Sequence, residues 1–167
     1  MAWRDASISH VKNGIYGEMW VAAMLASAFV YDQPEQVILA GLNEIPANCR
    51  LSAAVRHIIA LYHEGKSYDE AIADIRTRWN ESIGHHWCHT ISNAEICAIA
   101  LLWGDLDFEK SICMSVMPGF DTDCNGATVG SIVGMIIGGK KLPAKWIAPM
   151  NDTLITGVAG YHKVSIS

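Results

Sequence analysis

The chain has 167 residues, a length that suits one domain with a sizeable hydrophobic core. Hydrophobic residues make up 51% and charged residues 17% of it, which excludes an intrinsically disordered chain. The net charge of -5 gives no basic face, so nucleic acid is excluded as a partner. Five cysteines without a Cys-x-x-Cys pair indicate a reducing, cytoplasmic environment.

Helical periodicity runs through most of the chain, and no segment alternates with a period of two for long enough to predict a strand. Local signals mark the helix ends. Pro34 starts one helix, and Ser67 with Glu70 forms a capping box at another. Gly65 is a C-terminal cap and Asp107 an N-terminal cap. The patterns predict an all-α fold, with helices over 15–31, 34–46, 51–65, 67–79, 90–104 and 107–119, and a glycine-rich helix after residue 121.

Two apolar stretches resemble membrane-targeting or membrane-spanning segments in composition. The first, 20–30, starts late and is preceded by Asp5 and Glu18, which a signal peptide would avoid. The second, 125–139, has 15 residues, and a bilayer requires about 20. Both stretches therefore predict buried core helices, and we expect no membrane partner.

The stretch PGFDTDCNGATVGSIVGMIIGG, residues 118–139, places two aspartates ahead of glycines at every fourth position. Each interior glycine costs a helix about 1 kcal/mol relative to alanine, so the glycine face predicts a central helix that others approach closely. Asp121 and Asp123 lie at its N-terminus, where the helix dipole favours negative charge. They could cap the helix, or they could bind a hard divalent cation with an added oxygen from Thr122 or Asn125.

The segment GFDTDCNGATVGSIVG resembles the C-terminal metal motif of the ADP-ribosylglycohydrolase family, all-helical enzymes related to dinitrogenase-reductase-activating glycohydrolase. SISHVKNGIYGEMWVAAMLASAF resembles the family's Ser/Thr-His segment, Gly-x-x-Gly turn and alanine-rich helix. HTISNAEICAIALLWGDLDFEKSI resembles its HT-x-x-NA helix and the turn that follows. These stretches occur in the family's order, so the similarity extends from about residue 3 to residue 160.

The resemblance implies a compact multi-helix bundle that hydrolyses the glycosidic bond linking ADP-ribose to a modified protein side chain or a related acceptor. It implies two magnesium ions in a helical cleft, with Asp121 and Asp123 as catalytic metal ligands. ADP-ribose or an ADP-ribosylated protein is the implied partner. The residues implied to bind substrate are His10, Gly14, Tyr16, Gly17 and Thr122.

The chain departs from the family pattern in two places. Cys124 stands where the family has threonine or serine, and a thiol is a poor ligand for magnesium. The metal ligand that the family has at this position is therefore lost, or water or Thr122 replaces it. The family's Asp-Asp cluster in an N-terminal half has no counterpart here. We therefore expect a single all-helical domain over 1–167 that resembles the C-terminal half of such an enzyme, truncated on its N-terminal side. It would carry half a metal site, completed by the missing half or by a homodimer.

Three alternatives remain beside this interpretation. A non-catalytic, crystallin-like structural protein or nucleotide-binding relic is the competing functional class. A zinc site is the second alternative, with His85, His86, Cys88 and His89 as possible ligands. Adjacent side chains at a helix start cannot all converge on one ion, however, and no second ligand pair is nearby. In the family interpretation His89, Thr90 and Asn93 form a helix cap and a cleft wall. Cys124 is a poor candidate nucleophile, since the neighbouring aspartates raise a thiol pKa.

Overall fold

The computed structural model of the chain describes residues 1–167, except for the side chain of Glu81. It is 64% helical, which confirms the predicted all-α class. The chain divides into two compact units, residues 1–137 and 138–167. The expectation of a single domain over 1–167 stays a prediction.

The larger unit is a bundle of helices joined by short turns, and its helix ends follow the local capping signals. The carboxylate of Glu70 accepts a hydrogen bond from the backbone N–H of Ser67 at 2.8 Å, which confirms the predicted capping box. Asp107 caps its helix by accepting from the N–H of Lys110 at 2.8 Å. The helices are α1 Ala2–Ala6, α2 Asn13–Ser27, α3 Pro34–Asn43, α4 Arg50–His63, α5 Tyr68–Arg78, α6 Thr90–Trp103, α7 Phe108–Val116 and α8 Thr122–Ile137.

Helix α6 is the central element of this unit. Residues 91–102 are all buried, and α6 packs against α2, α3, α4, α5, α7 and α8. An apolar surface all round the helix allows this, since every face of it meets a neighbour. The largest fully buried side chains of the helices that pack on it include Trp20 and Met24 of α2, Ile38 and Leu42 of α3, and Leu51 and Ile58 of α4.

The prediction that the glycine-rich helix is central was wrong. Helix α8 buries only one face, and its outer face is exposed. Its glycines face α7 instead: a Cβ on Gly126 would lie 3.3 Å from Cγ2 of Val116. Gly138 follows the helix with φ of +82°, so it ends α8 rather than extending the glycine face. The glycines therefore allow one close helix–helix contact and not a crossing at the centre.

The smaller unit contains α9, Ala144–Ile147, flanked by 3-10 turns at Gly139–Lys141 and Ala148–Met150. An antiparallel hairpin follows, with β1 Thr153–Ile155 paired to β2 Lys163–Ser165. The sequence predicted no strand, and these two were missed because three residues are too few to show a period of two. The carboxylate of Asp152 ties the end of the chain to the start of β1 by accepting from the N–H groups of Ile166 and Ser167.

The two apolar stretches, 20–30 and 125–139, lie largely in helices α2 and α8 of the bundle. These helices have 15 and 16 residues. Within the described part of the chain, no helix combines the length and apolar character that a bilayer crossing requires.

Candidate functional site

The start of α8 brings three possible metal ligands together. One side-chain atom from each of Asp121, Asp123 and Cys124 lies within 4.8 Å of the other two. The carbonyl of Asp121 accepts the first helical hydrogen bond, from the N–H of Asn125 at 2.9 Å, so Asp121 directly precedes the helix. Asp121 is partly buried, while Asp123 and Cys124 are exposed. The unpaired N–H groups at a helix start favour negative charge at this position.

The turn between α7 and α8 sets the position of Asp121. Gly119 and Phe120 have φ of +81° and +63°, two successive residues in the left-handed region. A bulky residue is strained there, so surrounding contacts must hold Phe120 in place. Its ring lies 6.1 Å from the ring of His85, centroid to centroid. The turn thus directs the first residues of α8 toward the N-terminus of α6.

Asn93 of α6 connects this turn to the rest of the bundle. Its Oδ1 accepts hydrogen bonds from the backbone N–H of Asp121 at 3.1 Å and from Nδ2 of Asn125 at 2.8 Å. Its Nδ2 donates to the carbonyls of Trp87 and His89, at 2.9 and 3.0 Å. A buried amide with both ends paired has one orientation, so Asn93 fixes the backbone of Asp121 relative to the start of α6.

A pocket of about 190 Å³ opens beside Asp121 and Cys124, and Asp123 is outside its lining. Helix α2 contributes Gly17, where an added Cβ would collide with the methyl group of Thr90. The absence of a side chain at Gly17 therefore allows α2 to approach the first residue of α6. The lining includes Gly17, Cys88, Thr90, Asn93, Asp121 and Cys124.

Among the predicted substrate residues, this pocket brings only Gly17 together with Asp121. The side chain of His10 packs on Gly14, where an added Cβ would lie 2.9 Å from its Cδ2. The Nδ1 atom of His10 also lies 2.7 Å from Oγ of Ser9. Tyr16 packs against the hydrophobic core. His10, Gly14, Tyr16 and Thr122 are therefore outside the pocket lining, and their roles stay predictions.

Two thiols near the site, Cys97 and Cys124, have a raised pKa. A hydrogen bond to Asp121 raises the pKa of Cys124, and partial burial and the charges of Asp121 and Asp123 raise it further. Burial raises the pKa of Cys97 to about 12. A protonated thiol is a weak nucleophile, so the electrostatics agree with the expectation that Cys124 is not a catalytic nucleophile.

The histidine-rich segment before α6 does not converge on a metal site. Nε2 of His85 lies 2.9 Å from Oγ of Ser92, and Nδ1 of His86 lies 2.8 Å from Sγ of Cys88. Nδ1 of His89 accepts from the N–H of Ile91 at 3.2 Å, so His89 caps α6 as expected. In the described residues, the group at the start of α8 is the only set of three such side chains that meets. The zinc alternative therefore has no support.

Sequence reasoning missed a buried charged residue next to this region. Glu95 is fully buried on α6, and its Oε1 lies 2.6 Å from Nη1 of Arg78. Its other oxygen, Oε2, accepts a hydrogen bond from Nε1 of Trp79. Arg78 also pairs with Asp74, whose carboxylate lies 3.0 Å from Nε2 of His57. The sequence signal for this residue is a glutamate within an otherwise apolar helix. The network of paired side chains links helices α4, α5 and α6.

Burial raises the pKa of Glu95 more than Arg78 and Trp79 lower it. The pKa of Asp74 moves the other way. Burial raises it, but hydrogen bonds from Arg78 and His57 outweigh burial and bring it below its usual range. Perturbed carboxyl groups occur both in active sites and in structural ion pairs. Glu95 is paired inside the bundle and Asp74 is paired at its partly exposed edge. Neither lines the pocket, so we interpret both as structural.

Comparison with known proteins identifies a family for the chain. A family model described as ADP-ribosylglycohydrolase matches residues 1–164. No curated protein and no solved structure gave a significant match. The match spans nearly the whole chain and confirms the predicted family, whose members are hydrolases that act on ADP-ribosylated substrates and use divalent metals. Correspondence to a C-terminal half stays a prediction. The chain belongs to the ADP-ribosylglycohydrolase family.

Proposed function

We propose that this chain takes part in the divalent-metal-dependent hydrolysis of the bond between ADP-ribose and a protein side chain or a related acceptor. Family membership supports the hydrolysis of ADP-ribose glycosidic bonds in general. One observation carries the assignment of the site. The ligand atoms of Asp121, Asp123 and Cys124 lie within 4.8 Å of each other, beside a pocket lined by residues of α2, α6 and α8.

In this proposal the carboxylates of Asp121 and Asp123 are the metal ligands. A divalent ion supplies polarisation of the ribose oxygens and of a bound water. Oδ1 of Asn93 accepts a hydrogen bond from the backbone N–H of Asp121 and so fixes the backbone at this ligand. A ligand held on a helix start by a buried amide changes position little, and metal sites require this.

Pocket size indicates which part of the substrate enters. Pockets that enclose whole ligands occupy about 300–1,000 Å³, whereas this pocket has about 190 Å³. It has room for a ribose, and the adenosine diphosphate portion would extend beyond it. Gly17 forms part of the ribose wall in this arrangement. His10, Gly14, Tyr16 and Thr122 are the proposed contacts for the remainder of the nucleotide.

Magnesium is the ion that the resemblance predicts. The two carboxylates fit it, since magnesium binds oxygen donors and keeps several waters. The thiol of Cys124 does not fit it. The described residues contain one group of three such ligands, so a second ion would share these ligands or take others from outside the described residues.

That single ligand group also favours a second candidate function, a nucleotide-binding or crystallin-like protein without catalysis. Such a protein would bind ADP-ribose and leave the glycosidic bond intact, or would bind nothing. The two functions differ in turnover and agree in fold, so the experiment must measure binding and product release separately.

The test is calorimetric titration of ADP-ribose into the full chain, with magnesium, with manganese and with EDTA. We expect binding that requires the metal and weakens at least about tenfold in Asp121→Asn. Asp32→Asn is the matched control, because Asp32 is exposed between α2 and α3. Equal binding with metal and with EDTA would contradict the metal assignment. Release of ADP-ribose from an ADP-ribosylated protein identifies the enzyme, and binding without release identifies the non-catalytic alternative.

A further inference from the structure

The third donor at the start of α8 is a sulfur atom. Cys124 belongs to the same 4.8 Å group as Asp121 and Asp123. It is exposed, and it lines the pocket that Asp121 lines. The inference drawn from it rests on the proposed function, because it concerns the ion of that same site.

The Cys124 thiol faces the aspartates and does not turn away into the bundle. The donor atoms of Asp121, Asp123 and Cys124 lie within 4.8 Å of one another, so Sγ and the carboxylate oxygens face one common volume. Two other thiols line the pocket, and both have different partners. Cys88 Sγ lies 2.8 Å from Nδ1 of His86, and Cys97 donates to Oδ1 of Asn125 at 3.5 Å. Cys124 is therefore the thiol positioned to share an ion with the two carboxylates.

This donor set does not fit an all-oxygen magnesium centre. Magnesium requires near-octahedral oxygen ligands at about 2.0–2.1 Å, and a thiol in its coordination sphere displaces one of them for little gain. Zinc accepts sulfur at about 2.3 Å and carboxylate oxygen at about 2.0–2.2 Å, in tetrahedral sites. Ligand atoms of such a site lie about 3.5 Å apart, so the three donors, which lie within 4.8 Å of one another, would have to approach by side-chain rotation as the ion binds.

We propose that Asp121, Asp123 and Cys124 form a site that binds a borderline divalent ion such as zinc or cobalt in preference to magnesium. Two carboxylates and one sulfur are the donors, and the Cys124 thiol releases its proton to solvent when the ion binds. Three protein ligands leave a fourth position for water or substrate, and two of them, Asp121 and Cys124, line the pocket. That number matches catalytic zinc sites, which keep one position for water or substrate. The selectivity comes from the sulfur, since the carboxylates alone suit magnesium, manganese and calcium as well.

The test uses cobalt as a spectroscopic probe of the full chain after treatment with EDTA and its removal. Thiolate bound to cobalt gives a sulfur-to-metal charge-transfer band in the near ultraviolet. We expect this band to appear at one cobalt per chain, to disappear with equimolar zinc and to persist in excess magnesium. In Cys124→Ser the band should be lost and cobalt affinity reduced at least about tenfold, with magnesium affinity changed less than about threefold.

Two cysteine variants are matched controls. Cys88→Ser removes another thiol of the pocket lining, and Cys113→Ser removes an exposed thiol on α7. Both should keep the band. Circular dichroism melting of all three variants identifies a loss of fold, which serine at an exposed position should not cause.

Each outcome separates this inference from the proposed function. A band that persists in Cys124→Ser overturns the inference. Cobalt binding without the band, weakened in Asp121→Asn, also overturns it and leaves the aspartate ligands of the proposed function intact. No calorimetric binding of cobalt, zinc, manganese or magnesium overturns both.

Discussion

Oδ1 of Asn93 accepts a hydrogen bond from the backbone N–H of Asp121 at 3.1 Å, across 28 residues of sequence. The same oxygen accepts from Nδ2 of Asn125 at 2.8 Å. One buried amide thus holds both the residue before α8 and the first buried residue of α8. Because the proposed ligands Asp121 and Asp123 flank the helix start, Asn93 is the main contact that positions them.

We predict that Asn93→Ala destabilises the bundle and weakens metal binding. The change leaves the N–H of Asp121 and the buried amide of Asn125 without their acceptor. An unsatisfied buried donor costs about 1–3 kcal/mol, so the free energy of unfolding should fall by about 2–4 kcal/mol. Urea denaturation measures it, with Asn43→Ala at the exposed end of α3 as the control. A loss under about 0.5 kcal/mol, the range of ordinary surface substitutions, would refute this role of Asn93.

A second prediction concerns the close approach of α2 and α6. In Gly17→Ala the new methyl would overlap the methyl of Thr90, and a β-branched side chain has few rotamers by which to move away. Overpacking costs about 1–3 kcal/mol and exceeds the gain in helix propensity of about 1 kcal/mol. We expect a lower urea midpoint for Gly17→Ala.

The double variant Gly17→Ala/Thr90→Ser tests the cause, because serine lacks the methyl that the new Cβ meets. Most of the lost stability should return, and the two single effects should not add. Gly139→Ala, with open space around the added Cβ, is the control. Additive losses in the double variant would show that Thr90 is not the obstacle.

Local signals explain why most helix ends were predictable. The Ser67–Glu70 box and the Asp107 cap each involve residues three positions apart, so the sequence displays both partners together. The two aspartates of the candidate site were recognisable for the same reason. Their spacing and the glycines after them are a contiguous pattern.

The features that were missed depend on contacts between distant segments. Both α6 and α8 are apolar and rich in small residues, and only packing decides that α6 becomes central. The hydrogen bond from Asp121 to Asn93 and the pairing of Glu95 with Arg78 join different helices. No periodicity within one segment indicates such partners.

The buried Glu95 predicts a specific pH dependence of stability. Its pKa in the folded chain is raised by burial, so between the unfolded and folded pKa the folded state binds more protons. Its contribution is therefore full below the unfolded pKa and is lost as pH rises through the folded value, by at most about 1.4 kcal/mol per pH unit. Glu95→Gln cannot titrate. Relative to wild type, this variant should gain stability as pH rises from about 4.5.

Urea midpoints of wild type and Glu95→Gln at several pH values give this difference directly, and titrating groups outside the Glu95 network cancel in it. Asp74 carries the opposite sign, since its lowered pKa gives stability above the unfolded value that is lost as pH falls. Asp74→Asn is thus a control that should lose stability relative to wild type as pH rises from acid. If the stability of Glu95→Gln relative to wild type instead falls with rising pH, the assignment is reversed.

The last prediction addresses the glycine face of α8. A Cβ on Gly130 would lie 3.2 Å from Cδ1 of Ile112, the far end of a flexible side chain that is only partly buried. A shift of a few tenths of an ångström relieves this contact, whereas alanine gains about 1 kcal/mol of helix propensity over glycine. We therefore expect Gly130→Ala to raise the free energy of unfolding by about 0.5 kcal/mol. Gly104→Ala is the opposite case, because its Cβ would meet Ser111 and the carbonyl of Ala100, and it should be strongly destabilising. If Gly130→Ala also destabilises, the α7–α8 contact is rigid and the glycines are required for packing.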